Sequence, residues 1–194
     1  MEQAYGIIPL PMKYKHLIVI AIILANIAGA TLARAGATEE NNASGQRIGI
    51  YDSRVVAYAH FWTPEHQQQL KEKTSAAKAA KATGDQAQFN KLSKEMADEQ
   101  ERIHREVFST APAEEAMAVL KSRLPEIQKQ AGVSMLVSKW DKHTLGAYKS
   151  AQQVDVTDLL VRDFKLDPKQ MKTVEEIKKQ KPVSLDKIDK LHED

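Results

Sequence analysis

Residues 47–64 read RIGIYDSRVVAYAHFWTP, and this stretch decides the fold. The letters IGIYD near its start are mostly apolar and rich in residues that favour extended backbone, so they predict a short β-strand. Asp52 or Ser53 then supplies an oxygen that can cap the N-terminus of a short helix. Thr63 followed by Pro64 marks a second helix start, because threonine caps well and proline fits the first turn. A strand, a short helix and the start of a longer helix are therefore expected in that order.

A long helical hairpin is predicted over residues 65–108. Up to residue 82 the chain is mostly Gln, Lys, Glu and Ala, which gives a high helix propensity and a thin apolar stripe. Gly84 fits the left-handed turn that ends a helix, and a second helix follows with apolar side chains at near-heptad spacing. Such a hairpin is marginal on its own. The large apolar side chains of this hairpin are Leu70, Phe89, Leu92, Met96 and Ile103.

The chain after the hairpin predicts one further helix and a second strand. Residues 113–131 carry apolar side chains on one face, so they predict a single helix. Pro125 is expected to kink that helix and Gly132 to close it. Residues 133–140 follow as a strand that is rich in apolar side chains.

The last part of the body predicts a third strand and a closing helix. Residues 141–153 are typical of a polar loop and residues 154–156 of a strand or sheet edge. Thr157 and its neighbour can then cap a helix that ends at Phe164. Residues 165–194 predict a tail of two short helices, the first of which is opened by Asp167 and Pro168. This tail is expected at the periphery of the body and is suited to binding a partner. Together these elements predict an α+β fold, with a small β-sheet body, packed helices and a protruding antiparallel helical hairpin.

Residues 1–35 predict a secretion signal. Lys13 and Lys15 make a basic start, an apolar run follows, and a small-residue cleavage site ends at Ala35. We expect cleavage between Ala35 and Gly36. The mature protein is then periplasmic.

Two alternatives accompany this prediction. Met12, which directly precedes the basic start, is an alternative initiation site. An uncleaved anchor is also open, because residues 17–33 reach the lower edge of the roughly 17 to 25 residues that span a bilayer. The protein would then be held in the inner membrane, facing the periplasm. Residues 36–46 are small and polar and predict a disordered tether in either case.

The charge balance of the mature chain disfavours nucleic-acid binding. The full chain of 194 residues has 28 basic and 26 acidic residues. The predicted signal holds three of the basic residues and one of the acidic ones, which leaves 25 of each. A neutral domain lacks the long-range field that draws proteins onto nucleic acids or anionic membranes. The chain also has no cysteine, so disulfides, thiolate metal sites and catalytic thiols are excluded.

Polar residues collect at the predicted strand ends. This strand-end group consists of Asp52, Arg54, Lys139, Asp141 and Asp155. Side chains from separate strand ends can converge into a cleft, whereas the competing interpretation is that they cap helices and pair across the body. The sequence has no phosphate-binding loop, no Gly-x-Ser-x-Gly turn, no His-Glu-x-x-His and no dinucleotide fingerprint. It therefore predicts a non-catalytic protein without a cofactor or a metal.

Histidines offer two further patterns. His60 and His66 flank the cap at Thr63 and can meet across two helices, but two imidazoles without a third ligand make a poor zinc site. Glu101 and His104 have the spacing of a helical-bundle metal site, yet no second such motif accompanies them. Surface and capping roles are the favoured interpretation of both patterns.

Three short motifs resemble one known family. Residues 48–56, IGIYDSRVV, look like the opening strand and helix start of the OmpH/Skp-like periplasmic chaperones. Residues 133–137, VSMLV, and 154–160, VDVTDLL, look like that family's closing strands and its Asp-(Ile/Val)-Thr helix cap. With an export signal before them and a hairpin between them, the chain resembles this family over residues 47–164.

The resemblance implies a function as well as a fold. That family trimerises through its strand body and holds unfolded outer-membrane proteins between its hairpin arms without ATP. Residues 65–108 would then be the arm of a homo-oligomer, and the protein would be a holdase for unfolded envelope proteins. The client or partner contacts of that arm would be its large apolar side chains: Leu70, Phe89, Leu92, Met96 and Ile103. Two alternatives stay open: a structural or scaffolding envelope protein with one defined partner, and a small-ligand binder or hydrolase that uses the strand-end group.

Overall fold

The computed structural model describes residues 45–191, with side chains through Ile188. The predicted signal, its cleavage site between Ala35 and Gly36, and most of the predicted tether lie outside the described residues. Within residues 45–191, every helix is too short or too polar to cross a bilayer.

The described residues form a small sheet surrounded by helices. In chain order the elements are β1 (Arg47–Tyr51), α1 (Ser53–Phe61), α2 (Pro64–Thr83), α3 (Gln86–Phe108), α4 (Glu114–Val119), α5 (Leu124–Ala131), β2 (Leu136–Ser138), α6 (Lys142–Ala147), β3 (Gln152–Asp155), α7 (Thr157–Arg162), α8 (Pro168–Lys179) and α9 (Leu185–Leu191). This arrangement confirms the predicted α+β fold with a helical hairpin.

The sheet has three parallel strands in the order β2-β1-β3. The central strand β1 pairs with both neighbours, and Gly49 lies opposite Leu136 on one side and Val154 on the other. Parallel neighbours require long connections that return the chain to the same end of the sheet. The helices from α1 to α5 make the first of these connections, and α6 lies in the second. The carboxyl ends of all three strands therefore meet at one edge.

The core lies between β1, α1 and the helices that follow the sheet. Apolar side chains of α1 pack against α7 and α8 because they recur on one face of that helix. The largest fully buried apolar side chains are Ile48, Val55, Val56, Val156, Leu160, Val161 and Val174. Burying such a side chain contributes about 1.5 to 3 kcal/mol.

Gly49 allows the sheet to pack closely at its centre. A Cβ atom there would lie 2.7 Å from Cδ2 of Leu136 and 3.2 Å from methyl groups of Val133 and Val156. We expect Gly49→Ala to lower the free energy of unfolding by about 1–3 kcal/mol, because the core would be overpacked. Chemical denaturation measures this loss. The matched control is Gly146→Ala in α6, where no atom lies within 4 Å and the change should be neutral or stabilising. Equal effects at both positions would contradict the packing argument.

The hairpin matches its prediction closely. Thr63 caps α2 by accepting a hydrogen bond from the backbone N–H of His66, and Pro64 opens the helix. Gly84 ends α2 in the left-handed region, with φ of 78°. Beyond its root, α2 packs chiefly on α3, and residues 81–88 at the tip are all exposed. We call α2 and α3 together the arm.

Two helical predictions were wrong in detail. Residues 113–131 form two helices, α4 and α5, rather than one kinked helix. Pro125 lies in the first turn of α5, where its missing N–H breaks no intrahelical hydrogen bond, so it starts a helix instead of bending one. Residues 141–153, predicted as a loop, contain α6, which begins because the Asp141 carboxylate accepts a hydrogen bond from the N–H of Thr144.

The predicted peripheral tail is also wrong for α8. Asp167 and Gln170 form a reciprocal capping box, as the start signal at Asp167 indicated. The helix then buries Val174 completely and Ile177 almost completely in the main core, against α1. The regularly spaced apolar side chains of α8 therefore pack inside the body of the protein and are not left exposed for an external partner.

Candidate functional site

Asp52 lies at the point where β1 ends and α1 begins. Its side chain is fully buried, and its Oδ1 accepts a hydrogen bond of 3.2 Å from the N–H of Arg54, which caps α1. Its own N–H donates to Oγ1 of Thr157, at the start of α7, over 3.0 Å. Asp52 therefore joins the central strand to two helices.

Two cations and one indole surround this carboxylate. Arg54 donates from Nε to Oδ1 over 3.0 Å and from Nη2 to Oδ2 over 2.8 Å. Nζ of Lys139, just after β2, lies 2.6 Å from Oδ2, and Nε1 of Trp140 donates to Oδ1 over 3.1 Å. Burial alone would raise the pKa of Asp52, but the hydrogen bonds from Arg54 and Lys139 hold it below its ordinary value. We call these four residues the Asp52 cluster.

Arg54 extends the Asp52 cluster to the C-terminal part of the chain. Its Nη1 donates to the carbonyl oxygen of Gln180 over 3.0 Å, and its Nη2 donates to that of Ile177 over 3.1 Å. Carbonyl groups at the end of a helix lack the partners that a further turn would supply. The Ile177 carbonyl accepts the capping N–H of Gln180 as well, so the guanidinium adds to that cap at the end of α8. The cations of Arg54 and Lys139 each lie 5.0 Å from the Trp140 ring centroid, which is within cation–π range.

The structure brings together three residues of the strand-end group and leaves two apart. Asp141 is exposed and accepts hydrogen bonds from the N–H and hydroxyl of Thr144, which lower its pKa. Asp155 is exposed and accepts a 2.9 Å hydrogen bond from the N–H of Thr157. Asp52 and Asp141 cap helices, and Arg54 and Lys139 pair with Asp52, as the competing interpretation of this group expects, while Asp155 makes only a local hydrogen bond.

The contacts of Asp52 leave little scope for chemistry on a substrate. Both of its oxygens already accept hydrogen bonds or pair with a cation, and neither is accessible to solvent. A general base must reach the proton it abstracts, which this carboxylate does not do without breaking the Asp52 cluster. The nearest groove, of about 430 Å³, lies along β2 and is lined by Tyr51, Ser138, Trp140 and Asp141 among others. Among the described residues, no three His, Asp or Glu side chains are placed to hold a metal ion.

Two members of the site were missed at the sequence level. Trp140 was not included in the strand-end group, although its position directly after Lys139 at a strand end could have indicated an indole N–H facing the same carboxylate. Thr157 was predicted to cap its own helix, but its hydroxyl accepts the N–H of Asp52, 105 residues earlier. No local pattern indicates a contact over that separation.

All five apolar arm residues are partly or wholly buried. Leu92 is buried and the other four are half-buried. Met96 contacts the hydroxyl of Thr74 on α2, at 3.7 Å from its sulfur. Nζ of Lys81 lies 5.6 Å from the ring centroid of Phe89, and Ile103 packs against the main core. The apolar side chains of the arm therefore lie partly between α2 and α3 and partly at the surface.

The root of the arm contains a partly buried carboxylate, that of Glu99, where the heptad pattern expects an apolar side chain. Oε2 of Glu99 on α3 lies 2.6 Å from Nζ of Lys73 on α2, and its Oε1 lies 3.2 Å from Nε2 of His66. The neighbouring groove is rich in acidic side chains, including Glu95 and Glu115. The Glu99–Lys73 ion pair and the nearby His66 imidazole thus replace part of the apolar packing between α2 and α3.

Comparison with known proteins gives this chain no relative. No protein-family model matches it, and no curated protein or solved structure is similar to it at a significant level.

Proposed function

We propose that this chain is an exported, non-catalytic envelope protein, most concretely an ATP-independent holdase that binds unfolded envelope proteins through its arm. The observation that carries this proposal is the arm itself. It is anchored at its root, its helices pack chiefly on each other beyond that point, and its tip is exposed over residues 81–88. A pair of helices of this kind exposes a long surface while burying only a small apolar core of its own.

The apolar stripe of the arm suits weak and adaptable binding. Phe89 and Met96 are half-buried, so each presents part of its surface to solvent without forming an exposed hydrophobic patch. Leu92 becomes accessible when the two helices separate, and the seam opposite it is made of small alanines such as Ala77 and Ala80. Separation costs little where few large side chains interlock, so a client segment can replace one helix against the other. Methionine adds a flexible contact.

Several arms acting together would compensate for weak single contacts. One thin stripe binds a client poorly, whereas two or three arms that face a common client raise the local concentration of binding surface. The proposal therefore includes a homo-oligomer, and a trimer if the resemblance to the OmpH/Skp-like family extends to assembly. Light scattering on residues 36–194 measures this directly.

A shortened arm tests the function. Deleting residues 75–81 and 86–92 removes about two turns from each helix, which keeps the helix faces in register and retains the turn at Gly84. We expect this variant to need about tenfold more protein to suppress the aggregation of a urea-unfolded outer-membrane protein, because multivalent contacts are lost. Light scattering during dilution from urea measures the suppression. The control is Val119→Ser, which removes an exposed apolar side chain from α4 in the body and should leave suppression unchanged.

The outcomes separate the alternatives. Circular dichroism must show that the shortened protein melts cooperatively. If it does and suppresses aggregation as well as the full-length chain, the arm is not the client surface and the proposal fails. If the full-length chain never suppresses aggregation but one partner co-purifies in stoichiometric amount and is lost on shortening the arm, the scaffolding alternative takes its place.

A further inference from the structure

Two histidines meet where the arm joins the body. His60 is in the last turn of α1 and His66 is in the first turn of α2, and their rings contact edge to face with centroids 5.3 Å apart. The ring of Phe164, just after α7, lies 5.9 Å from His60, and that of Phe61 lies 5.2 Å from His66. The junction between arm and body is thus built from aromatic and imidazole rings.

His66 is almost completely enclosed in this junction. Its side chain is 5% exposed, and Nε2 makes no hydrogen bond although Oε1 of Glu99 lies 3.2 Å away. That carboxylate is already paired with Lys73 through its other oxygen. A buried ring nitrogen without a hydrogen bond is uncommon, because it forfeits the stabilisation that water would provide. This ring lies where the arm joins the body, so a change in its charge acts directly on that junction.

We propose that His60, His66 and Glu99 form an acid-sensitive latch that holds the arm against the body when both imidazoles are neutral and loosens it when they take up protons. At neutral pH the two rings pack as uncharged aromatic groups among Phe61 and Phe164. Protonation places two like charges 5.3 Å apart in an enclosed junction. The latch concerns the movement of the arm and stands whether or not the arm binds clients.

The charged groups around the latch have opposing effects on the pKa values of the two histidines. For His66, burial lowers the pKa, the carboxylates of Glu99 and Glu115 raise it, and Arg102 and Lys73 lower it. For His60, burial again lowers the pKa, Glu115 raises it, and His66 and Arg102 lower it. The net direction is downward for both rings. For His66, burial and the cations Arg102 and Lys73 together outweigh the carboxylates of Glu99 and Glu115.

The direction of each pKa shift defines the pH window. A histidine whose pKa in the folded protein lies below the unfolded value of 6.5 contributes stability that is complete above pH 6.5. That contribution is lost as the pH falls below 6.5 and through the folded pKa. The arm is therefore expected to be docked at pH 8 and released at mildly acidic pH.

Energy transfer between two dyes tests the latch in the whole chain. Because the protein has no cysteine, Gln86→Cys at the tip and Lys172→Cys on α8 provide two unique labelling positions. We expect transfer efficiency to change as the pH falls from 8 to 5, with a midpoint below 6.5, while far-UV circular dichroism stays constant. The variant His60→Gln/His66→Gln should show no such transition. His143→Gln, on the exposed helix α6, is the matched control and should keep the transition unchanged.

Several results would overturn the latch. A transition that persists in the double variant would assign it to carboxylates such as Glu106, whose pKa is raised by burial. If the far-UV circular dichroism of the helices is lost at the same pH at which energy transfer changes, the transition is global unfolding rather than release of the arm. Should the double variant not fold, NMR titration of the His60 and His66 rings in the wild-type protein decides, and a pKa above 6.5 at both rings rejects the latch.

Discussion

Asp52→Ala is expected to lower the free energy of unfolding by about 3–5 kcal/mol, because it leaves a buried cation without its counter-charge. The Arg54 side chain is only 3% exposed, and its guanidinium would keep the two α8 carbonyls but lose both carboxylate oxygens. Trp140 and the N-terminus of α1 would each lose an acceptor in the same change. Urea denaturation followed by circular dichroism measures the loss.

Matched substitutions separate the effect of losing the Asp52 charge from the effect of losing its side-chain volume. Asp52→Asn keeps the volume and one carbonyl acceptor, so it should lie between the wild-type protein and the alanine variant. Asp155→Ala removes an exposed carboxylate that makes a single local hydrogen bond, and we expect a loss of about 1 kcal/mol or less. If Asp52→Ala cost no more than Asp155→Ala, the Asp52 cluster would contribute nothing to stability beyond a helix cap.

The stability of the protein should also depend on pH through the ionisation of Asp52. Because the pKa of Asp52 is held below its unfolded value of 3.8, its contribution is complete above pH 3.8. That contribution is lost as the pH falls through the lower pKa of the folded protein. The wild-type protein and Asp52→Asn should therefore converge in stability at strongly acidic pH and differ at neutral pH.

Arg54→Met is expected to cost about 3–5 kcal/mol and to release α8 in particular. The guanidinium is the only described side chain that hydrogen-bonds the Ile177 and Gln180 carbonyls, while methionine fills similar space without donors. Asp52 keeps Lys139, so the sheet should be affected less than the helix. Hydrogen exchange read by mass spectrometry should show the largest loss of protection over residues 168–180.

An exposed arginine supplies the comparison. Arg123 is half exposed and pairs with Asp163 and Glu126, so Arg123→Met should change stability little and leave exchange in α8 unchanged. A uniform rise in exchange over the whole body of the Arg54 variant would show that the residue supports the core generally and does not fasten α8.

The elements with strong local signals followed from the sequence. The caps at Asp52, Thr63 and Asp167 and the left-handed turn at Gly84 were all predicted at the residues where they occur. These features depend on a side chain and a backbone group within a few residues of each other, so the sequence contains all the atoms that decide them. Pro125 was misjudged because a proline that starts a helix and one that bends it carry the same local pattern.

The sequence by itself therefore determined the α+β class, the arm and most helix starts, and it pointed to polar residues at strand ends. Only the tertiary structure decided what those residues do. The carboxylate of Asp52 meets the Trp140 indole across 88 positions of the chain, and α8 returns to the same point from the far end. Parallel pairing of β1 with β2 brings their carboxyl ends together. Contacts of this range depend on burial and register summed over the whole body, which no short stretch of sequence contains.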